Sequence, residues 1–117
     1  MRATAVVTAV LLLSTGGIAM AAVSTGLAET GGFLLGNAHR CGVAVARIAD
    51  AGRVIHRLIV AASDGTGEQK AADLRFAEAF LASAYPNQDR FLSIPPCKAV
   101  VTQFERLERH YREGGLN

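Results

Sequence analysis

Apolar residues return every three or four positions through most of this chain, the spacing of amphipathic helices. The clearest run comes late. Cys97, Val100, Val101, Phe104, Leu107 and Tyr111 form one stripe and predict a helix from about Pro96 to Glu113. On its polar side, Glu105–Arg109 and Glu108–Arg112 stand four apart in the favourable order, which reads as a solvated face of paired charges. An earlier stripe, Ile48, Ala51, Gly52, Ile55, Leu58, Ile59 and Ala62, predicts a helix over about Ala44–Ala62. Arg47, Asp50, Arg53 and Arg57 lie mostly off that stripe. A third stripe, Leu74, Phe76, Ala77, Phe80, Leu81 and Ala84, predicts a helix over about Gly67–Ala84 buried on that face. The weakest pattern is Phe33, Leu34, Ala38 and Cys41, a helix from about Thr30 to Cys41 in which Gly36 is unfavourable.

Punctuation fits these four segments. Gly42 suits a left-handed stop after Cys41. Ser63-Asp64-Gly65-Thr66-Gly67 is a turn, and Thr66-x-x-Gln69 reads as a capping box. Pro86 ends the third segment because it disfavours α geometry at Tyr85. Residues 85–94 form the longest loop. Ser93 can cap the last helix, Pro95-Pro96 suit its first turn, and Gly114-Gly115 stop it.

The first residues carry a different pattern. Met1-Arg2 is a short positive start, Ala3–Leu13 is apolar and uncharged, and Ala19-Met20-Ala21 places small residues where a signal peptidase reads them. The chain is therefore expected to divide into a signal peptide at 1–21, a flexible lead-in at 22–29, a helical domain at 30–114 and a tail at 115–117. No charge stands between Arg2 and Glu29, long enough in principle for an anchor. The Ser, Thr and Gly residues after Leu13 favour cleavage after Ala21 instead. The expected location is periplasmic or secreted, with no stable membrane insertion after the cut.

Export decides how Cys41 and Cys97 are read. An oxidising compartment and a count of two allow one pairing. The mature chain of about 96 residues is near the size where one core is only marginally sufficient, so a long-range staple matters. Both sulfurs stand on apolar faces and are expected to point inward. The fold class is all-α: about four helices in a small disulfide-stapled bundle or orthogonal array, with Cys41 and Cys97 clamping the first helix to the last.

Composition then narrows function by exclusion. A net charge of +2, or +1 without Arg2, gives no footprint for nucleic acid. His39, His56 and His110 fall on three different segments with no H-x-x-x-H or C-x-x-C spacing, so no metal or cofactor is expected. Asp64–Glu68 lacks the carboxylates of a calcium loop. No nucleophile motif surrounds Ser63 or Ser83. No catalytic residue is assigned. Arg40, Arg47, Arg53 and Arg57 are the one charge asymmetry, and form a candidate interaction surface for a carboxylate of another helix or for an acidic partner.

Gly32-Phe33-Leu34-Leu35-Gly36, His39-Arg40-Cys41-Gly42-Val43, Pro95-Pro96-Cys97 and Gln103-Phe104-Glu105-Arg106-Leu107-Glu108 together resemble small exported proteins of Gram-negative bacteria. That resemblance implies no activity. In design alone the chain is similar to the periplasmic acid-stress chaperones of the HdeA/HdeB type, which are small, helical, exported and held by one long-range disulfide. A weaker likeness is to exported immunity proteins. The leading expectation is a non-enzymatic periplasmic binding or chaperone-like protein whose partner is another periplasmic protein. The alternatives are an inhibitor or immunity-type module with one tight partner, and a small enzyme or metal carrier. The chaperone version expects apolar surface to open at low pH, where Glu105 and Glu108 lose their arginine pairing.

Overall fold

The computed structural model describes residues 16–86 and 94–114. They form four helices: α1 Gly16–Arg40, α2 Val45–Ala62, α3 Thr66–Ala84 and α4 Cys97–Arg112. No strand occurs among the described residues. The first 15 residues, the Ser93 cap and the tail 115–117 lie outside them.

Every other helix packs against α1. The register of its contacts sets the topology. Glu29 meets Arg75, Gly32 faces Ala79 and Gly36 faces Ser83, a nearly constant offset that makes α1 and α3 parallel. Gly31 faces Ile55 whereas Leu35 faces Gly52, so α2 runs back between them in sequence. The first three helices thus go up, down and up. The fourth is fixed to the end of α1 by the Cys41–Cys97 bridge, with Cα atoms 5.4 Å apart.

Helix α1 is longer than hydropathy predicts. Residues 22–29 are not a loose lead-in but part of the helix, and α1 continues upstream through Ala21. The reason is a stripe of small residues. Ser24, Ala28, Gly31, Gly32, Leu35 and Gly36 are all buried at helical spacing. Gly32 and Gly36 lie against Ala79, Ser83 and Ala84 of α3, while Gly31 and Leu35 meet Ile55 and Gly52 of α2. A Cβ built on Gly32 would stand 2.5 Å from the Phe76 carbonyl oxygen, and one on Gly36 would stand 2.4 Å from that of Phe80. Here the two backbones are nearly in contact, so dispersion between main chains replaces the burial of large side chains.

This packing turns α3 away from its expected orientation. Phe76 and Phe80 are half-buried and Ala84 is buried, as the pattern suggested, but Leu74, Leu81 and Ala77 face outward. Leu74 is 62% exposed and Leu81 57%. A face led by large leucines would hold the helices too far apart for the glycine contact.

Helices α2 and α4 follow most of their stripes, with Val54 and Glu108 buried in addition and Cys97 exposed. Ile48, Ala51, Val54, Ile55 and Ile59 are buried on α2, and Val100 and Phe104 on α4. The α1 end is a Schellman turn: Val43 N–H donates to the Ala38 carbonyl and Gly42 N–H to that of His39, with Gly42 at φ +89°. At the start of α3 the expected Thr66–Gln69 capping box does not form. Gly65 is the cap, and Asp64 N–H donates instead to Glu68 Oε2 at 2.8 Å. The same carboxylate brings its charge to the positive end of the helix.

Candidate functional site

Three features stand out, two of them built from groups that the sequence singled out. The first is the junction of α1 and α4. Cys41 is half-buried but Cys97 is exposed, so the bridge is not the fully inward-facing one expected. Arg40 lies over it. Its Nε and Nη2 donate to Asn37 Oδ1 at 3.1 and 2.9 Å, Nη2 donates to the Pro95 carbonyl at 2.9 Å, and Nη1 reaches Cys97 Sγ at 3.6 Å. Asn37 is steadied in turn by its Nδ2 donating to the Phe33 carbonyl at 2.9 Å.

The second is an ion pair between α2 and α4. Glu108 is not on a solvated face; its side chain is only 4% exposed. It accepts two hydrogen bonds from Arg47, Nε to Oε2 at 3.0 Å and Nη2 to Oε1 at 2.5 Å. Arg112 adds a longer contact at 3.5 Å. The Arg47 guanidinium also lies 5.4 Å from the centre of the Phe104 ring, a cation–π distance. The hydrogen bonds from Arg47 hold the Glu108 carboxyl below its ordinary pKa, against the opposing effect of burial. Burial raises Tyr111.

This pair makes stability depend on pH. Because folding lowers the Glu108 pKa, its contribution is complete above about pH 4.3 and fades as pH falls through the lower folded value. Wild-type melting temperature should therefore drop more steeply between pH 4 and 2 than that of Glu108→Gln. Parallel curves would show that the pair does not drive acid loss. At pH 7, Arg47→Ala should lower the melting temperature, because it leaves the enclosed Glu108 carboxylate without its main partner.

The third is an apolar trough of about 370 Å³ lined by Phe33, Ala82, Ser83, Pro86, Ile94 and Pro95, with Asn37 at its polar edge. A neighbouring recess between α1 and α4 shares Phe33, Asn37 and Pro95 and extends to Thr30, Leu34, Val100 and Gln103. Phe33 is 47% exposed and Ile94 52%. Among the described residues no ionisable side chain lines either recess.

The four arginines do not share one environment. Arg40 sits on the bridge and Arg47 on Glu108, while Arg53 pairs with Asp50 one turn back on α2. Arg57 is exposed and has no ion pair among the described residues. The histidines are also dispersed. His39 Nε2 is 3.4 Å from the Tyr85 hydroxyl, His56 Nδ1 is 3.3 Å from Asp73 Oδ1, and His110 is exposed. Among the described residues no three His, Cys, Asp or Glu side chains converge as a metal site, and no helix is long and apolar enough to cross a membrane.

Sequence reasoning missed the trough because its wall comes from three separate segments. The Gly32-x-x-x-Gly36 spacing was the available signal, since it sets how closely α1 and α3 approach beneath Phe33. Comparison with protein-family models, with curated proteins and with solved structures gives no match.

Proposed function

We propose that this is an exported, non-enzymatic binding protein, chaperone-like in that it takes apolar side chains from a partially unfolded protein of the same compartment. The observation that carries this reading is the trough formed by Phe33, Ala82, Pro86, Ile94 and Pro95. Its large residues are half in water, so an apolar occupant gains by covering them. Its polar neighbour offers little to a small polar metabolite, because both ends of the Asn37 amide are already engaged by Phe33 and Arg40. Leu81, next to the trough residue Ala82, adds a further exposed apolar side chain. In this reading the leader is removed after Ala21. Cleavage acts on an extended chain, so the cut precedes folding and α1 of the mature protein begins at Ala22.

The test uses protein recovered from a periplasmic extract, whose N-terminus is expected at Ala22. It should bind an apolar fluorescent dye and slow the aggregation of a reduced client protein at pH 7. Phe33→Asp and Ile94→Asp put a charge into the trough at exposed positions, so both variants should stay folded. Each should weaken binding about tenfold, the scale of one well-placed contact. Equal activity of wild type and both variants would sink the trough as the site. Recovery of one stoichiometric tight partner, with no effect on aggregation, would favour the inhibitor class.

A further inference from the structure

The bridge joins two helix ends of opposite polarity. Cys41 comes directly after the last residue of α1, where unpaired carbonyls leave a partial negative charge. Cys97 is the first residue of α4, a helix of 16 residues, where unpaired N–H groups leave a partial positive charge. Its cap is Pro96, which supplies no side-chain acceptor to offset that charge. Arg40 adds a full charge 3.6 Å from Cys97 Sγ. The guanidinium is fixed there by neutral groups only, the Asn37 amide and the Pro95 carbonyl, and no carboxylate pairs with it among the described residues. The other ionisable groups nearby on these elements are His39, which faces Phe80 and Tyr85, and Lys98, which is exposed.

We propose that Cys97 is an exchange-reactive sulfur, the site at which a small thiol of the glutathione class attaches as a mixed disulfide. The thiolate of the incoming molecule attacks exposed Cys97 Sγ. A new sulfur–sulfur bond forms to Cys97, the Cys41–Cys97 bond breaks, and its electron pair leaves on Cys41 Sγ, which takes a proton from water. A second thiolate then attacks the small molecule's sulfur. Cys97 leaves as a thiolate beside Arg40 and the start of α4. Two thiols are thereby oxidised to a disulfide and the protein's bridge is reduced by two electrons. Stabilising the departing thiolate favours this release, as at other cysteines next to a cation or a helix N-terminus. Packing of α4 on α1 acts in the opposite direction, since it holds the two sulfurs at bonding distance. The proposal does not depend on what fills the trough.

Oxidised full-length protein is incubated with millimolar reduced glutathione at pH 7, quenched in acid and mapped by mass spectrometry. The adduct is expected on Cys97, with Cys41 as the free thiol. An adduct confined to Cys41, or none in the folded protein, overturns the proposal. In a second measurement the reduced protein is alkylated across a pH series and each cysteine is followed separately. The Cys97 midpoint should lie at least about one pH unit below the ~8.5 of a free thiol, and Cys41 should not share that shift. Arg40→Gln should raise the Cys97 midpoint by about one unit, and Arg40→Lys should recover most of the difference. A purely structural role for Arg40 changes melting without moving this midpoint, so an unmoved midpoint also overturns the proposal. The adduct map needs no variant and holds even if an Arg40 substitution fails to fold.

Discussion

Replacing Gly32 and Gly36 together with alanine is expected to cost about 4 kcal/mol of stability, or to prevent folding, although alanine is the better helix former. Propensity alone predicts the reverse, a gain of roughly 1 kcal/mol at each position. Tertiary packing decides against it. The new methyl groups would meet main-chain oxygens at 2.5 and 2.4 Å and the Cβ atoms of Ala79 and Ser83 at 2.8 and 2.7 Å. Neither oxygen can swing aside, because each belongs to the backbone of α3. The helices must separate along their whole small-residue seam, and overpacking of this kind costs about 3 kcal/mol or more where nothing flexible yields. Two neighbouring positions isolate the cause. At Gly31 the added carbon would meet side chains and no main chain, Ile55 Cγ2 at 2.9 Å and Cδ1 at 3.1 Å and Phe76 Cε2 at 3.5 Å, so that variant should be milder. At Gly26 there is nothing within 4 Å, and Gly26→Ala should stabilise by about 0.5–1 kcal/mol. Urea midpoints at constant slope would rank the four proteins. A double variant as stable as wild type would mean that α1 and α3 are not in main-chain contact.

Reduction of the Cys41–Cys97 bridge should have an effect of similar size. The cysteines are 56 positions apart, and closing so long a loop restricts the unfolded chain by about 4 kcal/mol in the entropy account. For a domain this small that corresponds to a fall in melting temperature of roughly 15–30 °C. In the reduced protein α4 is retained by non-covalent contacts: Val100 and Phe104 in the core, Val101, Leu107 and Tyr111 packed against it, and the Arg47–Glu108 pair. Because Cys97 is exposed, the bond is open to reductant without prior unfolding. Thiol titration of denatured, unreduced protein should find no free cysteine. Melting with and without reductant, and of Cys41→Ser/Cys97→Ser, then gives the stability difference. Two titratable thiols in protein from an oxidising compartment, or superimposable melts, would show that the bridge contributes nothing.

The two predictions test different levels of information. The bridge was legible from two cysteines read with the expectation of export, and the helices α2 and α4 from apolar stripes that recur at 3–4 spacing. Gly42 and Pro86 marked helix ends correctly because local backbone geometry depends on the residue at the turn. The small seam of α1 was not legible in the same way. Hydropathy weights a residue by its size, so Gly32, Gly36, Ala28 and Ser24 carried almost no signal, while Leu74 and Leu81 carried a strong one that the fold does not use for burial. Small residues become a driving surface only when a second small surface faces them.

The polar groups divide along the same line. Glu108 and Arg112 four residues apart on one helix suggested a surface pair, and that contact exists at 3.5 Å. The stronger partner, Arg47, lies 61 positions away and buries the carboxylate. Arg40 reached the sulfur of Cys97 from 57 positions away. By itself the sequence determined the helices, most of their ends and the one covalent link, because those depend on side-chain periodicity, turn chemistry and cysteine count. Only the tertiary structure decided which face of α3 is buried, which carboxylate is enclosed and which side chains form the trough. The first and the last depend on how closely α1 and α3 approach, which two glycines permit, and the second on Arg47 of α2 reaching Glu108 of α4.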